Sequence, residues 1–191
     1  MACRPISCLC FSPDGKYIAA GEGGRQPSIL VWDVKTGILQ SELKGHSFSI
    51  NAVCFSGDGR LLASVGSEVD GRLNVWHCKA GTIAANARVV CDVKGMAFSE
   101  DGQCLVTAGS KGHLKHWVVE GGASVTGKTR QLKGRRAVVE GGPPMSYDFV
   151  DVCFSKMSKD SLETYALSSD GFLLFFDSTR ENILFCFASR L

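Results

Sequence analysis

An all-β fold is the class this sequence predicts, and three observations carry it. A strand-like segment recurs about every 43 residues, most copies run into an Asp-Gly pair, and each period closes on an aromatic residue within an apolar run. No segment calls for a helix of about ten residues or more. The 22 glycines against 5 prolines fit many tight turns between short strands better than a helical bundle.

The first landmark reads ISCLCFSPDG at 6–15, INAVCFSGDG at 50–59 and VKGMAFSEDG at 93–102, with a weaker fourth copy, VDVCFS, at 150–155. Apolar–polar alternation over such a length marks a strand, and Asp-Gly between two apolar runs marks the hairpin that follows it. The second landmark is Trp32, Trp76 and Trp117, with Phe176 in the same place in the fourth copy. It sits in the runs ILVWD (29–33), LNVW (73–76), LKHW (114–117) and LLFFD (173–177). One period therefore reads as strand, Asp-Gly turn, short apolar strand, Gly-rich turn, Trp strand, turn and final strand. Four antiparallel strands in such a period match one blade of a β-propeller. The expected domain is 1–191, with four four-stranded blades at 6–49, 50–92, 93–148 and 149–191, the third carrying an insertion at 120–148. Four blades of this kind read as an open arc of a larger propeller. The degraded fourth copy reads alternatively as a terminal cap of the kind repeat arrays use.

Gly45-His46, the FSPDG of 11–15 and Val31-Trp32-Asp33 make the chain resemble the WD40 repeat family over nearly its whole length. That resemblance implies a buried hydrogen-bonded tetrad in one blade, formed by His46, Ser64, Asp70 and Trp76. An imidazole can bridge a carboxylate and a hydroxyl, and the hydroxyl can accept from an indole N–H. The other blades depart from the pattern: Ala20 replaces the hydroxyl in the first, Val89 the histidine in the third, and Phe176 the tryptophan in the fourth. His113 has no place in that tetrad, and His113→Ala is expected to cost much less than His46→Ala.

A narrower resemblance rests on residues 11–33, with their Gly-rich hairpin and Pro27, on Leu73 to Trp76, and on the stretches 98–102 and 106–109. These are similar to blades of the mitogen-activated protein kinase-binding protein family, which includes a microcephaly-associated WD-repeat protein of the spindle pole. The resemblance implies a non-catalytic scaffold for kinases or centrosomal proteins, placed in the cytoplasm and at the centrosome or spindle pole. Ciliary and microtubule-binding WD-repeat proteins have similar blades. They imply the alternative of a structural protein of the microtubule or axoneme, with tubulin as partner.

Composition supports a globular chain with a sizeable core. The chain has 45% hydrophobic and 21% charged residues, and 21 basic against 19 acidic residues give a net charge of only +2. That balance argues against a phosphate-tracking protein, and so against nucleic acid as partner. No apolar stretch approaches the ~20 residues of a membrane span, and no secretory signal is visible. The nine cysteines show neither a CxxC pair nor compact spacing, and most lie in apolar runs. They read as reduced, buried thiols of an intracellular protein.

Three motifs have chemical shape. Gly122 to Thr129 fits the phosphate-loop pattern letter for letter, with a strand before it and Asp177 closing an apolar run, so an ATP-hydrolysing enzyme working through Lys128 is the remote alternative. The loop's chemistry needs a helix immediately after it, and Gly134 with β-branched residues and Pro143-Pro144 speaks against one. His113 and His116 share an H-x-x-H spacing, but i and i+3 point to opposite faces of a strand and no third ligand is spaced to join them. Lys128, Arg130, Lys133, Arg135 and Arg136 form a basic run within the insertion. It reads either as a solvated loop or as a docking patch for an acidic partner. The sequence thus assigns no catalytic, cofactor-binding or metal-ligating residue, no cofactor and no small-molecule substrate.

Overall fold

Asp-Gly turns fold the chain back on itself at the same point in three successive periods. In the computed structural model, which describes residues 4–119, 129–137, 148–155, 163–177 and 184–190, Gly15, Gly59 and Gly102 all take the left-handed conformation, with φ of +69°, +68° and +68°. Only glycine enters that region without strain. The preceding serine and aspartate lock each turn. The hydroxyls of Ser12, Ser56 and Ser99 donate to Asp14, Asp58 and Asp101 at 2.7, 2.6 and 2.6 Å. Each carboxylate also accepts the backbone N–H two residues on, at 3.0 to 3.1 Å.

The first sheet contains β1 (Ile6–Phe11), β2 (Tyr17–Glu22), β3 (Ser28–Asp33) and β4 (Leu39–Lys44), antiparallel and in chain order. The second repeats the plan with β5 (Ile50–Phe55), β6 (Leu61–Gly66), β7 (Arg72–His77) and β8 (Thr82–Arg88), and the third begins it with β9 (Val93–Phe98), β10 (Cys104–Gly109) and β11 (His113–Val118). Two short strands follow, β12 (Arg130–Gln131) and β13 (Lys133–Arg136). The fourth sheet is β14 (Phe149–Phe154), β15 (Glu163–Ser168), β16 (Phe172–Asp177) and β17 (Leu184–Arg190). No helix occurs among the described residues.

Two expectations change here. The second sheet has five strands, because β12 lies parallel to β8, with Arg130 opposite Ala85 and Gln131 opposite Asn86. The segment 120–148 is also not wholly an insertion, since its residues 133–136 form the outermost strand of the third sheet, antiparallel to β11. The physical reason lies in Leu132 and Ala137, which are buried between the sheets and bracket β13. Those two apolar anchors pin a run of cations that composition alone reads as loop.

Side chains pack between consecutive sheets in three layers. Ile29, Val31 and Leu43 meet Ile50, Val53 and Trp76; Val65, Leu73 and Val75 meet Val93, Leu105 and Trp117; Val106 and Leu114 meet Phe149, Leu174 and Phe176. The innermost strands follow one another, β1 against β5, β5 against β9 and β9 against β14. The sheets do not close into a ring. On the first sheet's far side Leu9 and Phe11 stay 60% and 57% exposed.

Of the seven cysteines whose side chains are described, Cys91 is buried, Cys153 is exposed and the other five are half-buried. Burial pushes the Cys10, Cys78 and Cys104 thiols up to about 12, and that of Cys91 up to about 11. Cys153, expected in the core, is exposed on β14, because Val152 and not Cys153 faces the third sheet.

Candidate functional site

Trp76 is wholly buried in the first layer, and its indole N–H must find an acceptor there. It donates to Ser64 Oγ at 2.8 Å. Ser64 lies on β6, and its oxygen is 2.7 Å from His46 Nε2. His46 Nδ1 is in turn 2.7 Å from Asp70 Oδ2. The other oxygen of that carboxylate accepts the backbone N–H groups of Ser47 and Phe48 at 2.6 and 3.2 Å. Burial, opposed by Asp70, holds the His46 imidazole below its ordinary pKa. The ring is therefore neutral at physiological pH, donating from Nδ1 to Asp70 and accepting at Nε2 from the Ser64 hydroxyl. The structure brings together all four side chains, from two strands and two loops.

The expectation that such a network exists in one blade only is corrected by the third sheet. Trp117 donates its indole N–H to Thr107 Oγ1 at 2.9 Å, and Thr107 Oγ1 is 2.8 Å from His113 Nε2. His113 is buried, and burial lowers its pKa to about 4. This burial and the bond to Thr107 speak against the expectation that its removal costs much less than that of His46. Val89 does not supply the imidazole; residue 113, the first of β11, supplies it from within the sheet. The signal was present in the sequence, since Thr107 is the fourth residue of β10 as Ser64 is of β6, and each sits one strand before its tryptophan.

His116 forms a third contact across the layer. Its Nε2 is 2.9 Å from Thr164 Oγ1 of β15, and its ring meets Phe154 edge-on with centroids 6.2 Å apart. Its Nδ1 is buried and has no partner among the described residues. Burial lowers its pKa to about 4. The two histidines of H-x-x-H thus face opposite sides of one strand and serve two different layers.

These arrangements leave little for reaction chemistry. His46 and Asp70 have almost no exposed side chain, and Ser64, wholly buried, already accepts the Trp76 indole N–H, so the relay faces the core rather than a substrate. A polar cleft of about 500 Å³ opens beside it, lined by Arg4, Glu22, Pro27, Ser28 and Lys44 among others. Its charges answer one another, Lys44 to Glu42 at 3.1 Å and Arg4 to Glu22 at 3.9 Å, and Ser28 donates to Glu42 at 2.8 Å. Of the phosphate-loop motif only Thr129 lies within the described residues; Gly122 to Lys128 lie outside them. Residues 130–131 and 133–136 after it are strand, so no helix N-terminus follows the motif. The basic run divides likewise: Lys128 is outside the described residues, Arg130 sits on β12, and Lys133, Arg135 and Arg136 sit exposed on β13.

A buried indole–hydroxyl–imidazole relay repeated between stacked four-stranded sheets points to one repeat family, and the family comparison agrees. The model described as "WD domain, G-beta repeat" matches residues 2–33, 37–77 and 84–118, more than half of the chain. The chain belongs to the WD40 repeat family. As a WD40 structure it superposes on the Cps50 (Swd1) β-propeller domain of Myceliophteria thermophila with a TM-score of 0.76, covering 100% of this chain and 57% of that one at 16% identity. That likeness concerns the fold alone. Among WD40 relatives, WD repeat-containing protein 62 of Mus musculus is 48% identical over 138 residues, and mitogen-activated protein kinase-binding protein 1 of Mus musculus is 42% identical over 178 residues. The matches cover 71% and 93% of this chain but only 9% and 12% of those relatives. WD40 repeat proteins are generally protein-interaction scaffolds. No helix among the described residues is long and apolar enough to cross a membrane.

Proposed function

We propose that this WD40 chain is a non-catalytic scaffold for other proteins, serving kinase signalling or centrosome and spindle-pole assembly in the cytoplasm. The observation that carries the reading is the 42% identity over nearly the whole chain to a relative named for binding a mitogen-activated protein kinase. The chemistry agrees. The histidines best placed for acid–base work are turned inward, one of them bonded through both ring nitrogens. The outer rim meanwhile offers exposed charge and strand edges. A rigid stack of sheets presents several such surfaces at once, which is what recruitment of several partners needs.

Purified chain, incubated with candidate kinases and centrosomal proteins one at a time, should form a stable complex with at least one of them. Failure with every candidate, together with salt-sensitive pelleting on microtubules, would replace the scaffold with the microtubule or axoneme reading. The exposed cations of β13 are the observation that favours that second reading, because tubulin tails are acidic. Nucleotide hydrolysis through Lys128 predicts instead a rise in melting temperature with ATP that Lys128→Ala abolishes; no such rise is expected.

A further inference from the structure

The outer edges of the first three sheets are finished in three different ways. On the first, β4 carries Glu42 and Lys44, joined at 3.1 Å, and the edge is neutral. On the second, β8 is covered, because β12 adds to it in parallel as a fifth strand. On the third, β13 is outermost and exposes Lys133, Arg135 and Arg136 with no acid between them. No ion pair among the described residues joins these three cations to a carboxylate. Arg136 donates instead to the Gly112 carbonyl at 3.3 Å.

Backbone alternation identifies the open groups on that edge. The N–H of Ala137 donates to Leu114 O at 2.9 Å, while Arg135 and Lys133 lie opposite His116 and Val118. Along an antiparallel ladder every second residue bonds the same neighbour. The N–H and C=O of residues 133 and 135 therefore turn in toward β11, and those of Gly134 and Arg136 turn outward. The phase is supported one residue earlier, where the N–H of Leu132 turns outward and donates to Asn86 O of the second sheet at 2.8 Å. Gly134 itself is required by packing, since a Cβ there would lie 2.5 Å from the Trp117 ring. The outward edge at 134 is left without a side chain that would stand in the way.

An edge of unpaired backbone groups is a template for another strand, and its charges decide which strand it accepts. Cations alone reject a second copy of the same edge, because like charges opposite one another are destabilising. They attract an extended acidic segment, whose carboxylates can pair with Lys133 and Arg135 on one face and Arg136 on the other. We propose that β13 is a docking edge for an extended acidic polypeptide segment, which adds to the third sheet as a fifth strand just as β12 does on the second. This deepens the scaffold reading and rests on it.

The test measures fluorescence anisotropy with the full 191-residue chain and a labelled peptide of alternating Glu and Val, about ten residues long. Three further probes accompany it: the same peptide with Gln for Glu, the Glu–Val peptide N-methylated at alternate amides, and a single-stranded oligouridine of equal charge. The Glu–Val peptide should bind, and both altered peptides and Lys133→Glu/Arg135→Glu should each weaken binding by about tenfold or more. The milder Lys133→Gln/Arg135→Gln should fall between, with an unchanged melting temperature showing that the fold is intact. Equal binding of the N-methylated peptide would reduce the edge to plain electrostatics and overturn strand addition. Tighter binding of oligouridine would overturn the polypeptide partner. If no peptide binds while a kinase or centrosomal complex still forms with the charge-reversed chain, the edge is wrong and the scaffold reading stands.

Discussion

The second and third sheets meet one requirement by different routes. Each buries a tryptophan whose indole N–H needs an acceptor, and each supplies a hydroxyl on the neighbouring strand, Ser64 or Thr107. Each hydroxyl then needs an imidazole. In the second sheet it comes from His46, on the loop that enters the blade, with Asp70 holding its far nitrogen. In the third it comes from His113, on the tryptophan's own strand, and Lys115 and Arg136 rather than a carboxylate supply the surrounding charge. The difference teaches that the shared physical demand is the satisfied indole, while the imidazole enters from two different places in the chain.

The comparison breaks most visibly at Asp70. Asp70→Ala removes the acceptor for His46 and for two backbone N–H groups together, so it should destabilise by about 3 kcal/mol or more. No single change in the third sheet's network should match it, as read by denaturant midpoint. Next in size, His46→Ala and His113→Ala should each cost about 1–3 kcal/mol, because each leaves a buried hydroxyl without its imidazole partner. An effect of His113→Ala within error of zero would mean that the third network contributes nothing.

Comparable in size is the dependence on pH. His113 and His116 have native pKa values lowered to about 4 by burial, against about 6.5 in the unfolded chain. A lowered pKa on a base means the unfolded chain takes up protons first as pH falls. The stability each neutral ring contributes is complete above about pH 6.5 and is lost as pH falls toward 4, by up to about 3 kcal/mol each. His113→Gln and His116→Gln should each flatten that limb of the stability curve. The least effect is expected at the first turn, where Ser12 and the backbone of Lys16 hold the exposed Asp14 carboxyl down to about 2. Asp14→Asn should lower stability only slightly at neutral pH, and the difference from wild type should vanish as pH approaches 2.

Most of the fold was legible because its signals are local. The Asp-Gly turns, the alternating strands and the tryptophan runs all lie within one period, and the four antiparallel sheets follow them. The four residues around Trp76 were named through the resemblance to the WD40 repeat, which His46, Ser64, Asp70 and Trp76 match by position. What escaped depends on packing between distant segments. Lys133 to Arg136 carry no strand pattern of their own, and only Leu132 and Ala137, buried on either side, hold them against β11. His113 escaped because its place was judged by the position of Val89, although Thr107 and Trp117 already marked a relay in need of an imidazole. His116 escaped because its partner, Thr164, lies on another sheet.

Native-state hydrogen exchange on the chain and on its His46→Ala and His113→Ala variants tests most directly the claim that the second and third blades each carry their own buried relay. His46→Ala should speed exchange in β6 and β7 while leaving β10, β11 and β13 at wild-type rates, and His113→Ala should do the reverse. Equal loss of protection across both sheets in either variant would contradict it.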